Sequence, residues 1–177
     1  RDGDGPLVVH PFLADPMANE VHSDRRFDGV TLSHAPPHHV SGGRVSYTVA
    51  EFVEAYARPS AKGRYGAACT CFFLDTATDV YEYAATIKHS LLPGGVWANV
   101  GPLQWHSGAG PATDELREIV EAEFGFEVLE WEVDVYPVEY RHDEGGGGEP
   151  RYTRYEGYRP LRFVLRRGVV AADDGND

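Results

Sequence analysis

Apolar and polar positions along this chain fall into a regular succession of patterns once residue 65 is reached. "YGAACTCFFL" (65–74) is a continuous apolar run, the mark of a strand buried on both faces in a parallel sheet. Beyond it, Val80, Tyr83, Ala84, Ile87 and Leu91 recur at the spacing of one helix face, predicting an amphipathic helix over 79–91. Asp79 is placed to cap its start. "LLPGG" ends it, because proline disfavours helix in the residue before it and glycine permits the return turn.

"VWANVG" (96–101) predicts the next strand, and "TDELREIVEAEFG" (113–125) a second helix, with Thr113 as cap and Gly125 as stop. "FEVLEWEVDVY" (126–136) alternates as a strand with one face in water, and "LRFVLRR" (161–167) predicts a last strand. Between them, "DEGGGGEP" (143–150) reads as a flexible loop. Upstream, "RVSYTV" (44–49) is a short strand candidate and "AEFVEAYA" a helical turn or two. Residues 1–44, rich in Pro, His, Asp and Gly, read as irregular covering structure and not as a domain of their own. Residues 168–177 read as an acidic flexible tail.

The order strand, helix, strand, helix, strand, loop, strand predicts an α/β fold with a mostly parallel, right-handed sheet. The two closing strands are expected to form an antiparallel hairpin at one edge. The length of 177 residues suits one domain with a real core, and 42% apolar residues suit a folded protein. A net charge of −12 argues against nucleic acid as a partner, since phosphate binding wants a basic face. No apolar run reaches the roughly 20 residues of a transmembrane helix, and no secretory signal is visible, so no membrane partner is expected.

The only cysteines, Cys69 and Cys71, share one face of a strand, a poor geometry for bonding to each other. They are expected to be reduced, buried and small-hydrophobe-like, in an intracellular protein; the location expected is the cytoplasm, with the nucleus as a second one. The chain opens "RDGDGPLVVHPF" without an initiator methionine and reads as a piece of a longer one.

In open parallel α/β sheets, ligands bind beyond the carboxyl ends of the strands. Asp75 is expected there after the strand 65–74, and "NVGPLQWH" brings Asn99, Trp105 and His106 to the same rim. One carboxylate and one imidazole converge on a crevice. A plainer reading makes Asp75 the cap of the following helix and leaves His106 packed in a loop.

"CTCFFLDTA", "LLPGGVWANVGPLQWH" and "FGFEVLEWE", in this order and spacing, resemble the C-terminal half of the carnosine N-methyltransferase family. Upstream, "HPFLADP" resembles the family's Tyr-Pro-Trp segment and "SYTVAEFVEAY" its Ser-Met-Thr-Ala-Gly-Asp-Phe segment; "YEGYRPLRFVLRR" looks like its closing strand. "LLPGG" alone is weak, but "FFLDTA" with a His 31 positions after its Asp is far more specific. The resemblance implies a Rossmann-like class I methyltransferase fold and S-adenosyl-L-methionine as cofactor. It also implies a small histidine-containing peptide as substrate and a homodimer.

Site roles follow from the resemblance position by position. Asp75 matches the aspartate that contacts the substrate imidazole, and His106 the histidine of the substrate pocket. Tyr158 matches a tyrosine that holds the dipeptide, and Tyr136 a second pocket tyrosine, although the family's Tyr-Thr is Tyr136-Pro137 here. Glu51 and Phe52 stand where the family has an Asp-Phe pair beside the cofactor adenine. Cys71 is left between the cofactor floor and an ordinary core cysteine. No metal is implied, and "HAPPHH" (34–39) lacks the spacing of a metal site.

A neutral imidazole has one N–H and one bare nitrogen, and the group that accepts from the N–H selects which nitrogen is bare. That is the work the resemblance implies for Asp75. The family's glycine-rich cofactor loop and its ribose-binding acid are not found in these residues. "SGGRVS" has neither a strand before it nor a helix after it. The isolated chain is therefore expected to bind S-adenosyl-L-methionine weakly or not at all. Carnosine, another histidine-containing peptide and a protein histidine all stay open as acceptors. A nucleotide-dependent oxidoreductase lacks its Gly-x-Gly fingerprint here. A non-catalytic relic or binding module on a methyltransferase fold stays open.

Overall fold

The computed structural model describes residues 7–14, 20–32, 46–139, 153 and 157–169. The chain divides into two compact units, residues 1–48 with 139–156, and residues 49–138 with 157–177. In the first, β1 (Leu7–Val9) pairs antiparallel with β2 (Val30–Leu32), Leu7 opposite Leu32. The His10 ring donates from Nδ1 to the Phe27 carbonyl at 2.7 Å. The predicted glycine loop at 143–150, the "HAPPHH" segment and residues 170–177 of the predicted tail lie outside the described residues.

The second unit opens with α1 (Phe52–Tyr56) and continues through β3 (Tyr65–Cys71), α2 (Val80–Ser90) and β4 (Leu91–Gly101). Then come α3 (Thr113–Glu118), β5 (Phe126–Val133), β6 (Val138–Glu139, its second residue counted with the first unit), β7 (Gly157–Tyr158) and β8 (Leu161–Arg167). The predicted strand over 44–49 is not there: residues 46–49 are irregular, and 44 and 45 lie outside the described residues.

Four strands form one sheet in the order β3-β4-β8-β5. Only β3–β4 is a parallel pair; β8 runs antiparallel to both β4 and β5. The sheet is thus mixed and not mostly parallel, because the last strand enters between two strands that share a direction. The expected closing pair is present, with β5 on the outside and β8 within.

The apolar run 65–74 does not make a strand buried on both faces. Its strand ends at Cys71 and lies at the edge of this sheet, with Thr70 buried and Ala68 half-buried between exposed Ala67, Cys69 and Cys71. Cys69 and Cys71 are free and exposed, against the expectation of burial.

On the covered side, Trp97 of β4 and Phe163 and Leu165 of β8 pack with Ile87 and Ala84 of α2 and Leu116 of α3. Trp97 meets Phe163 edge-on at 5.0 Å, and Trp131 of β5 stacks on Phe163 at 5.0 Å. The alternation expected over 126–136 breaks between Val128 and Glu130, where an extra residue bulges. Without that bulge, the odd-numbered Trp131 would face away from the side that Phe126 and Val128 occupy.

α2 keeps its predicted bounds to within a residue, and Asp79 Oδ1 accepts from the Tyr81 N–H at 2.8 Å. Arg167 donates to the carbonyls of Lys88 and Leu91, satisfying groups that the end of α2 leaves open. The second helix continues from α3 as a π-turn over Ile119–Glu123 and stops at Gly125, where φ is +61°. Its cap position holds Ala112 and not Thr113. Glu115 Oε2 accepts from the Ala112 N–H at 2.8 Å, the bond that an N3 glutamate makes back to the cap residue.

Candidate functional site

Beyond Cys71 the chain turns sharply. Phe72 takes φ +48°, and its N–H donates to the Val100 carbonyl at 2.8 Å. A 3-10 turn over Leu74–Thr76 follows and folds Asp75 under the rim, 4% exposed. Asp75 Oδ2 accepts from the Gln104 N–H at 3.3 Å, and its main-chain carbonyl accepts from the His106 N–H at 3.1 Å. Ser107 Oγ adds a tie to the Ala77 carbonyl at 2.9 Å. The loop after β3 and the loop after β4 are therefore joined at three points.

Asp75 is not a helix cap, since Asp79 performs that function for α2. Gln104 is the one donor to the Asp75 carboxylate among the described residues. A carboxylate taken out of water keeps its charge only where hydrogen bonds replace lost solvation. A ligand N–H arriving at the second oxygen supplies such a bond.

The structure brings Asp75 and His106 together through the backbone, while the His106 side chain stands exposed. Tyr158 is half-buried and meets Phe72 edge-on at 5.8 Å. Tyr136, 82% exposed beyond β5, is not tied to the rim by the contacts found among the described residues. Asn99 does not reach the rim. It is 6% exposed inside the sheet, its Nδ2 donating to the Leu161 carbonyl at 3.1 Å while its Oδ1 accepts from Thr70 Oγ1 at 2.7 Å. Trp105 donates from Nε1 to the Pro111 carbonyl at 3.0 Å and closes its own loop.

On the other side of the Asp75 turn lies an aromatic cluster. Phe52 meets Phe73 at 5.1 Å and Tyr83 at 5.0 Å, and Phe73 stacks on Tyr83 at 5.0 Å. A cavity of about 490 Å3 runs along the free edge of β3, lined by Phe52, Tyr56, Cys69, Cys71 and Phe73 among others. That volume falls in the range of small-molecule sites. Phe52, placed beside the cofactor by resemblance, and Cys71, for which the cofactor floor is one of two readings, share one cavity. Glu51 precedes it as the cap of α1, accepting from the Glu54 N–H at 2.6 Å. The backbone N–H groups of Glu54 and then Val53 hold its carboxyl below the ordinary glutamate range. A second cavity, about 530 Å3, opens beside Val80, Tyr81, Glu115 and Glu118 and contains none of the predicted site residues.

Sequence reasoning missed Gln104 and Phe72. Gln104 acts through its main chain, to which its side-chain identity gives no clue. The left-handed turn at Phe72 has no glycine or asparagine to announce it.

The family model for carnosine N-methyltransferase matches residues 4–166. The chain is 33% identical to the carnosine N-methyltransferase unmet of Drosophila melanogaster over 132 residues, 68% of this chain and 27% of that protein. It is 42% identical to the carnosine N-methyltransferase of Mus musculus over 99 residues, 55% of this chain and 24% of that protein. The Schizosaccharomyces pombe carnosine N-methyltransferase is 29% identical over 102 residues, 56% and 27% of the two chains. This chain spans about a quarter of the length of the curated relatives it matches. With a family match across nearly its whole length and a rim built around the aspartate of "FFLDTA", the chain belongs to the carnosine N-methyltransferase family.

Proposed function

We propose that this chain carries the substrate side of an S-adenosyl-L-methionine-dependent methyltransferase acting on an imidazole nitrogen of carnosine or a related histidine-containing peptide. The observation that carries the reading is the buried carboxylate of Asp75, held at the joined ends of β3 and β4 with one oxygen free of protein donors among the described residues. The sheet order supports a Rossmann-like class I fold, since an antiparallel strand lies between two that run alike. The names of the relatives supply the substrate class.

The residues of the β3 edge suit the cofactor. Phe52 offers an aromatic face to a purine, and the carboxylate of Glu51, the residue before it, offers an acceptor. When bound, the cofactor supplies an electrophilic methyl group on a sulfonium. The rest is done by the protein. Asp75 accepts the substrate's imidazole N–H and so fixes the tautomer that leaves the other nitrogen bare. As that nitrogen forms its new bond, positive charge grows on the ring, and the nearby carboxylate stabilises it. Asp75 then takes the N–H proton, leaving a neutral methylated imidazole. The Gln104 and His106 N–H bonds hold the turn in place, so alignment is set before the substrate arrives.

Asp75→Asn in the full-length protein tests this. Asparagine keeps an acceptor oxygen of similar shape and removes the charge. The expected result is a fall in kcat of about 10²–10⁴-fold, the range of a lost general base, with the thermal melt little changed. Imidazole methylation at an undiminished rate would sink the assignment.

A further inference from the structure

Two features that are locally costly meet at one point of the rim. Phe72 is the only non-glycine residue among those described with a positive φ, +48°. Such a conformation is uncommon for a bulky side chain and persists only when its surroundings enforce it. Directly beneath it, Gly101 has no room for a side chain: a Cβ there would lie 3.0 Å from both Cα and N of Phe72. The glycine at the end of β4 thus provides the seat for the left-handed turn at the end of β3.

A glycine at position 72 would make the same turn without strain. What phenylalanine adds is its ring. Its neighbour Phe73 joins the cluster of Phe52 and Tyr83, whereas Phe72 meets Tyr158 at 5.8 Å with the rings 87° apart. Edge-to-face pairs of this kind hold two side chains in a fixed relation. Tyr158 lies in β7, three residues before β8 begins, and the Asp75 turn follows β3; Phe72 couples these distant segments.

We propose that Phe72 is a positioning residue: strained on Gly101, it holds the Tyr158 ring in register with the Asp75 turn and so sets the affinity for the peptide. The inference rests on the proposed function, in which Tyr158 contacts the substrate. Phe72 acts through Tyr158 and leaves the chemistry to Asp75, whose own ties run to Gln104 and His106.

The test is steady-state methylation of a histidine-containing dipeptide by the full-length protein. Phe72→Gly keeps the turn and deletes the ring. It is expected to raise KM for the peptide at least tenfold while kcat stays within about threefold and the thermal melt does not fall. Phe72→Asn, which also tolerates a left-handed backbone, serves if the glycine variant folds poorly and has the same expected KM. Phe72→Tyr restores KM to within about threefold of the parent. In a Tyr158→Ala background, Phe72→Gly adds no further increase, because coupled residues are not additive. A KM within twofold of the parent for Phe72→Gly, or effects of the two sites that multiply, overturns the proposal. A parent protein that methylates no imidazole at all is a different result: it removes the proposed function, and this inference with it.

Discussion

Asp75 and Asp79 stand four positions apart in one short segment, and their surroundings give them different work. Asp79 is exposed and caps α2 through the Tyr81 N–H, while Asp75 is buried beneath the rim and bonded by Gln104. Glu51 shows a third use of a carboxylate. It caps α1, and hydrogen bonds from backbone N–H groups lower its pKa. A carboxyl whose folded pKa is depressed contributes stability that is fully present above its unfolded pKa. That contribution fades as pH falls through the folded value. Circular dichroism or fluorescence of the tyrosines near α1 should therefore show a loss of order as pH falls below the ordinary glutamate range, and Glu51→Gln should remove that pH dependence. An unchanged acid profile in the variant would mean the cap contributes nothing.

At the scale of elements, three neighbouring strands are linked through one buried polar chain. Trp97 Nε1 donates to Thr70 Oγ1 at 3.0 Å, Thr70 donates to Asn99, and Asn99 donates to the Leu161 carbonyl. β3, β4 and β8 are held in register just below the rim that carries Asp75. Thr70→Val keeps the shape and removes the hydroxyl's hydrogen bonds to Trp97, Asn99 and the Ala98 carbonyl, leaving the Trp97 N–H and Asn99 Oδ1 unpaired in the core. Unsatisfied buried groups cost about 1–3 kcal/mol, so a denaturant titration should show a loss of that size. A change under half a kilocalorie would show that the chain of bonds is incidental. The helices were legible from periodicity, down to the Asp79 cap and the Gly125 stop. The bulge in β5, the Ala112 cap position and the edge location of β3 were not. Each depends on which partner the element meets, and a pattern of apolar residues does not name its partner.

At the scale of the whole sheet, β3 is an edge strand among the described residues. β3 carries no charged residue and no proline, the devices that usually protect an edge strand, and both of its cysteines are exposed. A thiol reagent should label Cys69 and Cys71 in the folded chain at rates near those of a free thiol, without prior denaturation. Protection of both would mean that this edge is covered in solution. No helix among the described residues is long and apolar enough to cross a membrane. The sequence by itself determined the α/β class, the α2 boundaries, and the family resemblance carried by "FFLDTA" and "GPLQWH". These are local: side-chain periodicity, cap chemistry and the order of residue types survive in one dimension. Only tertiary structure decided that the last strand enters between β4 and β5, that Asn99 serves the core, and that Phe72 sits strained upon Gly101. Those outcomes come from close packing between segments far apart in the chain, where a contact of 3.0 Å or a missing Cβ settles what neither segment encodes alone.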